Sequence, residues 1–283
     1  MTPTLVRQHL PHAGAAPRVD LRARARDWSE IQERMLVPLY EAVYERLDVG
    51  PATRLLGLGC GSGLALLMAA ARGAAVTGVD ASPERVALAR ERLLPGASAG
   101  SRPDTRLVDG SPGDTAEPGA AAYTLVTAFE PIGCLAGDSE GLGGLLAEAT
   151  PLAERGAAVV LAGWGPPERC ATTSVLRVAS KLTEPLRTSG NWRPALRDDL
   201  EDVARRAGLR PDGSGRVACP FGYADVDSAV RGLKSTGLFD AAMRETDQVQ
   251  VDKELTEALH PHQRRDGTVW MPNVFRYLIA RTP

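Results

Sequence analysis

The chain has 283 residues, which bounds it to one large domain or two small ones. Hydrophobic residues at 43%, charged residues at 24% and a net charge of -2 describe an ordinary globule without the basic footprint of a nucleic-acid binder. All but three of the 33 basic residues are Arg (the exceptions are Lys181, Lys234 and Lys253), and with 29 Gly this reads as genomic composition bias.

Met1 to Asp20 reads as a frayed start, with no continuous apolar segment of the secretory type, so export by a signal peptide is not expected. Arg22, Arg24 and Arg26 read as a solvated face. From Ser29 the pattern is helical, because Ile31, Met35, Leu39, Val43 and Leu47 recur every four residues as an apolar stripe. Pro38 should kink or split that helix, and Gly50-Pro51 should stop it.

Short apolar strands then alternate with helices. Arg54–Leu58 is the first strand, and Leu64, Leu67, Met68 and Ala71 mark a helix closed at Gly73. Leu55 to Ala71 is the longest uncharged stretch, short of the roughly 20 apolar residues that span a bilayer. Ala75–Val79 is the second strand, followed by a Ser82-Pro83-Glu84 helix start with Val86, Ala89 and Leu93 inward. Thr105–Val108, Tyr123–Ala128 and Ala157–Ala162 follow as strands, the pattern of a parallel sheet covered on both faces.

After Gly163 the rhythm changes. Trp164 to Pro194 reads as irregular, with prolines interrupting a possible helix. Asp198 should cap a helix with Leu200, Val203 and Ala207 inward and Gly208 at its end. Val217–Tyr223 and Val274–Ala280 read as strands, with two helical stretches between them in Val226 to Leu259. Cys60, Cys134, Cys170 and Cys219 lack the spacing of a metal or disulfide framework and read as reduced thiols of a cytoplasmic protein.

The chemistry is carried by Gly57-Leu58-Gly59-Cys60-Gly61-Ser62-Gly63 at a strand-to-helix junction. Glycines there let backbone approach a ligand, and the N–H groups opening the next helix favour anionic groups. The spacing is G-x-G-x-G, so the dinucleotide fingerprint G-x-G-x-x-G fails in every register. Asp80 ends the second strand about 20 residues on, where a carboxylate can bond ribose hydroxyls. Asp109, ending the third strand beside Gly110, could hold an adenine amino group.

These runs, with VTGVDASPERVALARERL, DWSEIQERMLVPLYEAVYERL, GWGPPERC and MPNVFRYLIAR, resemble the class I S-adenosylmethionine-dependent methyltransferases. The likeness is to the small-molecule type that acts on quinones and natural products, antibiotics included. It implies an α/β, Rossmann-like three-layer sandwich with a seven-stranded, mostly parallel sheet, an antiparallel last strand and helical lid insertions. Residues 1–52 would form a helical cap, 53–163 the cofactor-binding core, and 164–283 the lid insertions and remaining strands of the same domain. The cofactor implied is S-adenosyl-L-methionine, left as S-adenosyl-L-homocysteine. Gly57, Gly59, Cys60 and Gly61 would lie along its methionine part, and Asp80 would hold the ribose. Ala81, Asp109 and Gly110 would meet adenine, with Ala128 and Phe129 beneath the sulfonium.

Three positions depart from the family. Gly57 stands where an acid is usual, Thr124 where strand four usually begins with Asp, and Glu130 where Asn is usual. Glu130 and His262 are the candidate bases; His260 reads as solvated, and His9 and His12 lie in the frayed start. Trp28, Tyr40, Trp164, Trp192 and Trp270 are candidate substrate-pocket walls. The expected partner is a small-molecule substrate, with no metal, nucleic acid or membrane and the oligomeric state open. The expected activity is in-line methyl transfer to O, N or C of a specialised metabolite. A cyclase or isomerase that binds the cofactor without methylating is the alternative, and a non-enzymatic sensor is a third.

Overall fold

Leu55 and Leu56 point to opposite sides of one strand, and each side carries its own core. This computed structural model describes residues 20–94, 104–117, 119–134, 137–183 and 199–283. His9, His12, Trp192, Asp198 and all but the last residue of the frayed start lie outside them. The central sheet has seven strands in the order β3-β2-β1-β4-β5-β9-β6. They are β1 (Arg54–Leu58), β2 (Ala75–Asp80), β3 (Thr105–Asp109), β4 (Tyr123–Ile132), β5 (Ala153–Trp164), β6 (Arg210–Ala218) and β9 (Val274–Arg281). The last strand, β9, runs antiparallel to both its neighbours, β5 and β6, and the other pairings are parallel. Leu55 and Val160 face one core, and Leu56, Val126 and Leu161 the other.

The N-terminal helix begins earlier than the stripe indicates. Asp20 caps α1 (Leu21–Asp27) by accepting from the backbone N–H of Arg22 and Ala23. A π turn over Trp28–Gln32 and a 3-10 turn over Glu33–Leu36 follow, and α2 (Val37–Arg46) starts with Pro38 in its first turn. The split at Pro38 is as expected, since proline lacks the N–H that an unbroken helix needs. A strict four-residue repeat outruns a 3.6-residue helix; the wider π turn lets Ile31, Met35, Leu39 and Val43 all stay buried.

Helices α3 (Leu64–Ala71) and α4 (Pro83–Leu93) follow β1 and β2, and Ser82 caps α4 by accepting from Arg85 N–H at 3.3 Å. α5 (Asp138–Ala149) lies between β4 and β5 in the chain, and α7 (Asp199–Arg206) buries Leu200 and Val203 as its spacing indicates. The segment from Trp164, read as irregular, contains a regular helix, α6 (Thr172–Thr183). The expected strand Val217–Tyr223 is two. Pro220 cannot donate to a ladder, so β6 ends at Ala218 and β7 (Phe221–Tyr223) pairs instead with β8 (Val269–Met271) in a separate two-stranded sheet. β6 also starts seven residues earlier than expected, because its Asp, Gly and Ser residues hide it from an apolar-run reading. Three helices, not two, fill the interval before β8: α8 (Val226–Ser235), α9 (Asp240–Glu245) and α10 (Gln248–Leu259).

Candidate active site

β1 ends at Leu58, and the chain turns into α3 through three left-handed glycines, Gly59 (φ 59°), Gly61 (φ 57°) and Gly63 (φ 80°). Gly61 also needs its missing side chain for space. A Cβ there would stand 2.8 Å from Trp28 Nε1 and 2.9 Å from Glu33 Oε1. Gly57 plays a different part. Its φ is ordinary, but a Cβ would sit 2.9 Å from Leu66 Cδ2, so Leu66 occupies the room that a side chain at 57 would take.

Three carboxylates converge on this turn. Asp80 is buried, its Oδ2 accepting from Gly61 N–H at 2.8 Å and its Oδ1 from Ser82 N–H at 2.9 Å. Glu33, also buried, accepts from Ser62 N–H (3.1 Å), Leu64 N–H (3.4 Å), the Ser62 hydroxyl and Arg92 Nη1 (2.7 Å). Of the N–H groups at the opening of α3 expected to greet an anionic ligand, those of Ser62 and Leu64 are instead taken by Glu33, and that of Gly63 by Cys60 O at 3.0 Å. Glu130 is the third. Its Oε2 stands 3.4 Å from where a Gly59 Cβ would be, and the residue as a whole is exposed. Protein nevertheless crowds the carboxylate, and this burial pushes its pKa up; the Arg85 charge opposes the rise and the Asp80 charge adds to it. Burial also pushes the Cys60 thiol up to about 12, so it is a neutral packing group at ordinary pH.

Trp28, Tyr40, Gly57, Gly59, Cys60, Gly61, Phe129 and Glu130 thus line one cleft. Tyr40 packs on Phe129 with ring centres 4.8 Å apart. Glu130 lies within β4 rather than beyond it, since the strand runs on to Ile132. Asp109 and Ala81 are exposed at the ends of β3 and β2, and Gly110 N–H donates to Asp80 O at 3.1 Å, so the two strand ends stay together.

Other expected residues lie elsewhere. Strand alternation turns the Ala128 side chain to the opposite core, with Leu58 and Leu142, so Thr127 and Phe129 line the cleft instead. Trp164 packs on Phe275 (4.6 Å) and Phe221 (5.9 Å), bracing β5 and β9 against β7 rather than walling the cleft. His262 is in a different groove, its Nε2 3.4 Å from Ser174 Oγ beside Cys170 and Arg169, and burial lowers its pKa. It is not brought together with Glu130. Trp270 is partly exposed under the Arg264 guanidinium, 4.7 Å from the ring centre.

Sequence reasoning missed Glu33, Thr127, Leu66 and the Arg85–Trp28 stack, in which the guanidinium lies 4.4 Å from the ring centre. Glu33 carries no periodicity signal, because it falls off an ideal helical stripe and only the π turn swings it inward. The site fits a cationic nucleoside bearing an amino-acid end. Carboxylates surround the turn, Gly59 leaves its backbone half-buried without a side chain over it, and the buried Trp28 Nε1 has no hydrogen-bond acceptor among the described residues. Among those residues no cluster of three or more His, Cys, Asp or Glu could hold a metal, and no helix is long and apolar enough to cross a membrane.

Residues 55–140 match the family described as methyltransferase domain. No curated protein sequence matches the chain. Solved structures do. YjhP from Escherichia coli is 19% identical, with 92% of this chain and 99% of that one covered at a TM-score of 0.52. YcgJ from Bacillus subtilis is 17% identical, covering 86% and 98% at 0.52. The cyclopropane synthase MmaA2 from Mycobacterium tuberculosis is 13% identical, covering 86% and 83% at 0.52. At these identities the likeness is one of fold.

Proposed function

We propose that this chain, built on the class I S-adenosylmethionine-dependent methyltransferase fold with a methyltransferase domain at residues 55–140, methylates a small specialised metabolite at O, N or C. The observation that carries the reading is the left-handed glycine turn held to Asp80 and flanked by carboxylates, an acidic cradle suited to a sulfonium nucleoside. When bound, S-adenosyl-L-methionine would supply an already activated methyl group, leaving S-adenosyl-L-homocysteine. Asp80 has a free lone pair on each oxygen beyond its two backbone bonds, available to ribose hydroxyls. Asp109 and Gly110 would take the adenine, and Gly59, Cys60 and Gly61 the methionine part. Phe129 and Tyr40 pack as a rigid apolar floor that holds an acceptor in line; such alignment is the main thing a protein adds to a displacement of this kind. Glu130 would accept a proton from an O–H or N–H nucleophile, and its raised pKa makes it a better base than a solvated carboxylate. The proposed setting is the cytoplasm, in natural-product biosynthesis.

Incubation with methyl-labelled cofactor and a metabolite panel tests this reading: label should appear in one product class. Tight cofactor binding without label transfer to any member would count against it. A second reading is favoured by the place of Glu130, which lines the cleft with its Oε2 beside Gly59. A carboxyl there can protonate or hydrogen-bond a substrate, so the cleft could promote a cyclisation or isomerisation without methyl transfer. Product mass separates the two, since transfer adds a methylene unit and rearrangement adds nothing.

A further inference from the structure

The glycine turn after β1 is roofed by the chain's own N-terminal segment. Residues 20–36 run through α1, the π turn and the 3-10 turn and set Trp28 and Glu33, 7% and 2% exposed, over Gly61. A Cβ on Gly61 would meet them at 2.8 and 2.9 Å, so protein fills the space above the turn. The cleft left between this roof, Gly59 and Glu130 encloses about 20 Å³, room for one water, where small-molecule sites hold roughly 300 Å³ or more.

The roof is fastened differently on its two sides. Ile31, Met35 and Leu36 join the apolar core, and Ile31 packs against Gly232 of α8. Toward the turn the fastening is polar. Glu33 accepts from the N–H groups of Ser62 and Leu64, the Ser62 hydroxyl and Arg92, whose Nη2 also donates to Ser29 Oγ at 2.9 Å. Polar groups released from such a seam exchange their bonds for bonds to water, so parting there costs little per bond. One group gains outright: Trp28 Nε1–H, buried with no acceptor among the described residues, would reach water. At the far end of the segment the 3-10 turn over Glu33–Leu36 runs into Pro38 in the first turn of α2. Proline interrupts the helical ladder, and 3-10 stretches within helices often mark hinges.

We propose that residues 20–36 form a self-inhibitory gate, latched over the turn by Glu33 and hinged near Pro38, which parts from the turn to admit the nucleoside and stays parted while it is bound. This rests on the methyltransferase reading and adds the regulation of that site. Latch and ligand compete, so the measured affinity is the intrinsic one reduced by the fraction of chains standing open. Loosening the latch therefore tightens binding, the reverse of what removing a structural or ligand-holding carboxylate does.

Calorimetric titration of the full chain and of Glu33→Gln with S-adenosylhomocysteine tests this. Glu33→Gln should bind about tenfold more tightly, the shift in open population expected when one hydrogen bond to a charged group is lost from the closed state. Unchanged or weaker binding by Glu33→Gln overturns the gate while leaving the methyltransferase reading in place. If neither chain binds S-adenosylhomocysteine, that reading falls and the gate with it, a distinct outcome. Should Glu33→Gln fail to fold, hydrogen exchange of the unsubstituted chain decides. Amides of residues 28–36 should exchange faster in saturating S-adenosylhomocysteine than without it. Equal or slower exchange, the behaviour of a lid that closes on its ligand, overturns the proposal.

Discussion

Glu130 concentrates the chemistry of the cleft in one titratable group. Folding raises its pKa, chiefly through burial, so it adds to stability below the ordinary carboxylate range. That contribution is lost as pH climbs through the raised value, because the unfolded chain releases the proton more readily. Glu130→Gln removes the titration. Its thermal midpoint should exceed that of the unsubstituted protein at neutral pH and converge with it in acid, and parallel midpoints across that range would refute the assignment. The same residue should sense ligand charge. Affinity for the sulfonium should rise as Glu130 ionises, and Glu130→Gln should weaken it about tenfold (~1.4 kcal/mol) more than the neutral thioether product. The sequence marked Glu130 by its position after Phe129 and by its departure from the family. It could not show that the strand continues past it to Ile132, which is what fixes the carboxylate over Gly59.

Between elements, the informative contact is Leu66 of α3 against two strands. Its Cδ2 fills the place of a side chain on Gly57 and its Cδ1 that of one on Gly78, so β1, β2 and α3 close on a single leucine. Gly57→Ala should overpack this junction at ~1–3 kcal/mol, and Leu66→Ala should open a cavity at ~2–5 kcal/mol. In the double variant the new methyl enters the space left by Leu66, so urea denaturation should give a coupling of about 1 kcal/mol in the stabilising direction. Strict additivity would mean that Gly57 is not spatially tied to Leu66. Most elements of the first half were legible, because buried parallel strands read as apolar runs and Ser82-Pro83 announces α4. The π turn at Trp28 was not, since nothing in residue identity distinguishes it from a plain helix, and with it went Glu33 and the orientation of the indole. β6 escaped for the opposite reason: an edge strand with alternate exposed polar residues has no apolar run to find.

Across the whole molecule, the C-terminal strand is the keystone of the sheet. β9 sits between β5 and β6, bonded to both, and its Arg276 pairs with Glu201 of α7 while Arg281 pairs with Asp212 of β6 at 2.8 Å. Truncation before Val274 would leave two strand edges unpaired and expose Phe275, Leu278 and Ile279 partners on both faces. Near-UV dichroism of that truncated chain should lack the native aromatic signal; a retained signal would show that the parallel core stands without its last strand. The strand order brings the Gly59–Gly63 turn, Asp80 and Glu130 to one end of the sheet, the end proposed to receive a sulfonium nucleoside. The most direct measurement is calorimetric titration with S-adenosylhomocysteine of the unsubstituted chain and of Asp80→Asn. One-site binding that weakens about tenfold or more in Asp80→Asn, the loss expected for a charge-assisted hydrogen bond, is the predicted result. No binding by the unsubstituted chain, or affinity indifferent to Asp80, would contradict it.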